Sequence, residues 1–302
     1  MIIPTETLRQ LRSVRDDEEA TLPPEDLAAF LHRAQDALPA IDATADLWSP
    51  VQSIQSVGDE VEALHGVAGR ASFVAALVAD LAVSFAEGLS DSGMPDSVVG
   101  LYPDRLRKLA TYLTTADLAG YWMGSDALLK DLRIAAGYSV PTGALDVDVY
   151  GEVGRRSGLK AIVTAREFRN GWRAFRIGGP PWYVIHSDSR YLEEFDEEGW
   201  NRCYVRIAEL LSRNPSVRGM VGSSWFYDPQ LLTISPRLGY LQANPLRNGA
   251  FLLRNGPGAV HTERATARSE TRRRLVENGS YVPVCHSVIW PREQLIAWAR
   301  SH

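Results

Sequence analysis

Apolar and polar positions follow two different periods along this chain, and the change comes near residue 145. Before it, apolar residues recur every three or four positions. The segment opened by Pro23-Pro24-Glu25-Asp26 places Leu27, Phe30, Leu31, Ala34 and Leu38 on one face, the pattern of an amphipathic helix with an acidic, proline-marked start. The same spacing predicts helices over 51–64, 71–85, 103–113 and 125–135. Glycine and proline clusters at 88–95 and 138–143 punctuate them. The stretch 71–86 is the most apolar. Interrupted by Asp80 and short for a bilayer, it is expected to be core, with no membrane partner.

After Leu145 the period shortens. Asp146-Val147-Asp148-Val149-Tyr150 alternates as a half-buried strand does. A helix is expected over 151–168, then two short strands at 172–177 and 182–185 around Gly178-Gly179-Pro180-Pro181. The clearest helix is 197–213, where Trp200, Cys203, Tyr204, Ile207, Leu210 and Leu211 form one stripe and Asn214-Pro215 ends it. Strands at 217–225, 250–253 and 281–290 alternate with helices at 230–241, 269–277 and 293–300. The fold class is therefore α/β (α+β): a helical region over 1–144, then a mixed sheet flanked by helices over 145–302.

Composition adds bounds rather than an activity. The chain has 302 residues, 45% hydrophobic and 23% charged, as a globular protein with a real core has. Two cysteines, Cys203 and Cys285, are too few for a disulfide framework, and the first residues lack a signal-peptide pattern. A cytoplasmic setting is expected. Residues 1–60 carry 12 acids against 4 arginines, whereas residues 251–302 carry 8 arginines against 4 acids. That distribution does not suggest a nucleic-acid partner, but it leaves room for a local anion site near the C-terminal end. Arg264, Arg268 and Arg272 recur every four residues, which puts three guanidiniums on one face if a single helix carries them.

Most of the chemistry-bearing residues lie between Trp182 and Tyr240. The order hairpin, strand, helix, strand, helix, strand, strand over 172–290 resembles the acyltransferase fold of the GNAT superfamily. In that family a strand runs into a loop that holds the pyrophosphate of coenzyme A at a helix N-terminus, where unpaired amides and aligned dipoles favour anions. The corresponding stretch here is Ile185-His186-Ser187-Asp188-Ser189-Arg190 with the helix from Glu197. The family's loop is glycine-rich, whereas residues 191–199 hold five carboxylates and one glycine. Those acids would repel a pyrophosphate, so a donor held differently, for example on an acyl carrier protein, stays open beside acyl-CoA. The resemblance implies transfer of an acyl group from a thioester donor to a small amine or related small-molecule acceptor. It makes His186 or Asp188 the candidate general base and Tyr240 the candidate general acid, with Arg254, Arg264 and Arg268 meeting the donor's phosphates. Ser223, Ser224, Trp225 and Tyr227, after a strand and before a helix, are the candidate substrate contacts. No Gly-x-Ser-x-Gly nucleophile elbow is present.

Two other constellations compete. His186-x-Asp188 at a strand end, with His261 (or His286) downstream and Arg268 (or Arg292) beyond it, is similar to the His-x-Asp…His site of iron(II)/2-oxoglutarate oxygenases. Glu62-x-x-His65 has the spacing of a di-iron bundle ligand unit, without a second copy. A non-catalytic binding protein on a degenerate acyltransferase fold is the remaining alternative.

Overall fold

The computed structural model describes residues 3–16, 22–41, 48–154 and 165–302. They fall into two compact units, Met1–Pro141 and Thr142–His302.

The first unit is built on one long helix, Gln55–Gly88, packed by Thr5–Arg15, Pro24–Ala37 and Asp126–Ala135. Two shorter helices are expected over 51–64 and 71–85. The chain instead runs through with a single break at Gly66, where φ is 72°, a backbone state open to glycine. This helix is long and apolar enough to cross a membrane by length and composition, so length does not argue against a span. The more telling fact is that 56% of its most apolar window is buried inside the protein. Phe73, Val74, Leu77 and Val78 are fully covered, and Phe30 of the neighbouring helix meets Phe73 edge-to-face at 6.3 Å. The acid of the Glu62-x-x-His65 pair is ion-paired with buried Arg70, and the His65 ring lies against Phe30. The unit closes with a short strand, β1 (Ser139–Pro141).

The second unit holds strands β2 (Asp146–Asp148), β3 (Tyr183–His186), β4 (Gly219–Ser224), β5 (Phe251–Pro257) and β6 (Val284–Pro291). Their spatial order is β2-β3-β4-β6-β5, with β3 and β4 parallel and every other pair antiparallel. The expected mixed α/β class is what forms. One face of the sheet gathers Val184, Val221, Ile289, Phe251 and Leu253 around Ala174 and Trp182. The other face packs Trp290 against Tyr204 at 5.2 Å and Trp298 at 5.3 Å, from the helices Glu197–Arg213 and Arg292–Ala299.

One expected strand is a helix. Residues 172–177 belong to Ala165–Ile177, and of the helix expected over 151–168, positions 155–164 lie outside the described residues. Its small residues Gly171 and Ala174 are buried, while Phe168, Trp172 and Phe175 face solvent. The spacing of those aromatics is helical (i, i+4, i+7), but they sit on the wrong side for a helix read by apolar burial. Asn170 and Arg173 anchor it by donating to the carbonyls of Leu252 and Gly249.

β4 begins at Gly219, where φ is 150° and a Cβ would lie 2.3 Å from the Trp290 carbonyl. Gly219→Ala must therefore move backbone in the central pair of strands. We expect a loss of about 1–3 kcal/mol, read as a lowered urea midpoint with an unchanged m-value. An unchanged midpoint would refute the close approach.

Candidate active site

The parallel strands β3 and β4 pair only at Tyr183↔Met220 and Val184↔Val221. Beyond these residues β3 continues to His186 and β4 to Ser224, with the Ile185 side chain packed against Gly222. Because residues two apart in a strand share a face, His186, Ser223 and Ser287 lie on the same face as Val184, Val221 and Ile289. The apolar floor thus gives way, at that end, to a polar row.

Asp148 anchors one side of that row. His186 Nε2 is 2.8 Å from Asp148 Oδ2, with the carboxylate buried and the imidazole partly exposed. The cross-strand register, Asp148↔Val184 and Asp146↔His186, places both acids of β2 on the histidine's face. A carboxylate on Nε2 fixes the tautomer with the proton on that nitrogen and leaves Nδ1 as the acceptor. No described residue takes up Nδ1. This is the base-and-orienter geometry of acid–base catalysis. Along the same row, Ser223 Oγ is 2.7 Å from Ser287 Oγ, and Asn255 donates to Ser287 at 2.9 Å.

Asp188 is not part of this pair. It is buried and held by Arg190, which donates its backbone N–H at 2.9 Å and its Nη2 at 2.8 Å. The expected His186–Asp188–His261 metal set therefore does not form. Asp188 has turned to an arginine, and His261 opens the helix Ala259–Thr266 in the excursion between β5 and β6. Among the described residues no three His, Cys, Asp or Glu side chains come together as a metal site. His286, the alternative distal ligand, sits within β6 with Nδ1 3.3 Å from the Val284 carbonyl.

The acidic stretch is folded shut over the helix it precedes. Asp196 Oδ1 accepts from the Gly199 N–H at 2.7 Å and so caps the helix Glu197–Arg213. A Cβ on Gly199 would lie 2.1 Å from the Glu194 carbonyl. Arg202 bridges Glu194 at 3.1 Å and Glu198 at 2.9 Å, and Phe195 is wedged edge-on between Trp200 and Phe226. The helix N-terminus that would cradle a phosphate already holds a carboxylate. Tyr240 donates to the Phe195 carbonyl at 3.2 Å. Burial, with Asp196 and Glu197 nearby, pushes its phenol up to about 12, so it is protonated at neutral pH.

The remaining candidates are dispersed. Ser224 accepts from the Phe226 N–H. Tyr227 is fully buried, its hydroxyl 3.3 Å from where a Gly222 Cβ would stand. Trp225 lies beneath Arg272 at 4.8 Å. Arg254 sits on β5 opposite His286, at a register shift. Arg264 and Arg268 are exposed. The guanidiniums of Arg264, Arg268 and Arg272 do not share one face, because the chain breaks between Ala259–Thr266 and Glu270–Glu277, with Ser269 capping the second helix. Asp148, Ser287 and Asn255 are functional candidates that sequence reasoning misses. The alternation Asp146-Val147-Asp148 was the available signal, since it puts two acids on one face of a strand.

No protein-family model matches this chain, and no curated protein matches it. Among solved structures, an acyltransferase crystallised with decanoyl-CoA and teicoplanin has a similar fold, with a TM-score of 0.50 at 15% identity over 96% of this chain and 89% of that one. The chain has an acyltransferase-like fold.

Burial holds the His286 pKa below its ordinary value. A depressed folded-state value means that the unfolded chain binds the proton more readily. The contribution is full above about pH 6.5 and is lost as pH falls from there through the folded value. Urea midpoints measured from pH 7.5 to 5 should fall more steeply in the parent than in His286→Asn; parallel curves would contradict this.

Proposed function

We propose that this protein transfers an acyl group from a thioester donor, an acyl-CoA or an acyl group on a carrier protein, to a small amine or related acceptor. The observation that carries the reading is the 2.8 Å pair of His186 and Asp148 beyond the end of the β3–β4 ladder. Three things support it. The acyltransferase of similar fold binds decanoyl-CoA and teicoplanin, a thioester and a small-molecule acceptor. From β3 to β5 the elements run strand, helix, strand, helix, strand, the order expected from the GNAT resemblance, with the helices Ala259–Thr266 and Glu270–Glu277 inserted before β6. The β3–β4 ladder ends before the His186 end of β3, the side from which an extended thioester arm would approach in this reading.

In this reading the acceptor amine attacks the thioester carbonyl, and its proton passes to His186 Nδ1. Asp148 stabilises the imidazolium that forms. The tetrahedral adduct then expels the thiolate, which takes a proton from Tyr240, a phenol kept protonated by burial and by Asp196 and Glu197 nearby. Ser223, Ser287 and Asn255 line the acceptor side with hydroxyl and amide groups. Because Asp196 occupies the helix N-terminus, the donor's phosphates are met elsewhere, with Arg254, Arg264 and Arg268 as candidates.

Acyl-CoA donors of two to ten carbons, supplied with a panel of small amines, should release free thiol in the presence of the protein. Asp148→Asn, which preserves shape but withdraws the charge, should lower kcat by about 10²–10⁴ with KM little changed, and His186→Ala by at least as much. Turnover that survives both substitutions would sink the reading.

A further inference from the structure

Arg272 is a buried cation without a buried anion. Only 4% of the residue is exposed. Its Nε donates to the Ala265 carbonyl, its Nη1 donates to Ser235 Oγ at 3.1 Å, and the guanidinium plane lies 4.8 Å over the Trp225 ring. No described carboxylate pairs with it, and no described residue engages Nη2. Its charged neighbour is a second cation: burial, and after it Arg237, lowers the Arg272 pKa. Arg237 itself is exposed, and no described residue hydrogen-bonds or ion-pairs with it. The acid in the neighbourhood, Asp228, already accepts the backbone N–H groups of Gln230 and Val284. Tyr281 is near both Asp228 and Arg272, and burial, with Asp228 beside it, holds its phenol well above the ordinary range.

Burying a guanidinium without a counter-charge is costly, and placing a second one beside it adds repulsion. Structural anchoring explains two of the donors but not the pairing of like charges. The position is telling too. Trp225 directly follows β4, and Ser235 precedes the 3₁₀ turn Pro236–Leu238, which carries Arg237 and leads into the helix that begins at Tyr240. Arg272, stacked on Trp225, therefore lies beside the end of β4.

We propose that Arg272 and Arg237 form a phosphate-binding subsite, with Trp225 and Ser235 holding Arg272 in place and Arg237 closing over the anion from the solvent side. Two cations facing one group suit a dianionic phosphate. That phosphate is carried by the donor nucleotide, by a phosphorylated acceptor, or is free. The subsite does not depend on the acyl-transfer reading; only its assignment to the donor does.

Arg237→Ala removes one half of the site without touching a structural hydrogen bond, so its melting temperature in chloride buffer should equal the parent's. Inorganic phosphate and pyrophosphate, at matched ionic strength, should raise the parent's melting temperature. In Arg237→Ala the apparent affinity should be about ten- to hundredfold weaker, and in Arg272→Met the response should vanish. Equal responses in parent and Arg237→Ala, or none in the parent, would overturn the site, whatever Arg272→Met does to folding. The same titration with coenzyme A and with its 3′-dephospho form distinguishes the sources. A loss on Arg237→Ala seen with either compound assigns the site to the donor. Phosphate sensitivity without coenzyme A sensitivity assigns it to free phosphate or a phosphorylated acceptor. The thiol-release assay judges acyl transfer separately.

Discussion

Everything proposed for this protein depends on a backbone pairing that stops. β3 and β4 run parallel in the middle of the sheet, yet share only two residue pairs. That short ladder ends between an aliphatic floor and a row of polar side chains. On its other edge β4 stays in register with β6 along its whole length.

Charge is distributed around that end in an unusual way. The N-terminus of the helix Glu197–Arg213 is occupied by the chain's own carboxylate, Asp196. Arg202 and Arg206 then knit Glu194 and Glu198 to the same helix. Cations accumulate instead on the excursion between β5 and β6. Positive charge is thus presented by side chains and not by that helix end, which gives up the backbone's fixed dipole and gains the directional fork of arginine.

Much of the fold was legible because the periods were clean. Glu197–Arg213 is where its six-residue stripe put it, and the change of period near Leu145 falls close to the boundary between the two units. Legibility failed where a residue's environment reversed its usual meaning. Trp172 and Phe175 read as strand because bulky aromatics favour pleated surfaces, but Gly171 and Ala174 are what the sheet face admits. The site was half legible. His186 stands out by its place at a strand end, but the sequence offers Asp188 beside it only as a co-ligand or an alternative base, and the structure pairs His186 with another acid. The true partner, Asp148, is 38 positions away and becomes a neighbour only through antiparallel pairing of β2 with β3. Arg272 looked like one of a periodic run. Its distinction, burial, is a property of the break at Ser269 and not of the spacing.

The helix Ala165–Ile177 carries a consequence for how this protein can change over evolutionary time. On most amphipathic helices the large side chains are conserved and the small ones drift. Here the tolerance is inverted, since Gly171 and Ala174 define how near the helix comes to the sheet while Phe168 and Trp172 protrude. Drift should accumulate in the most conspicuous residues and spare the plainest. A comparison weighted toward aromatic identity would then miss true relatives of this chain.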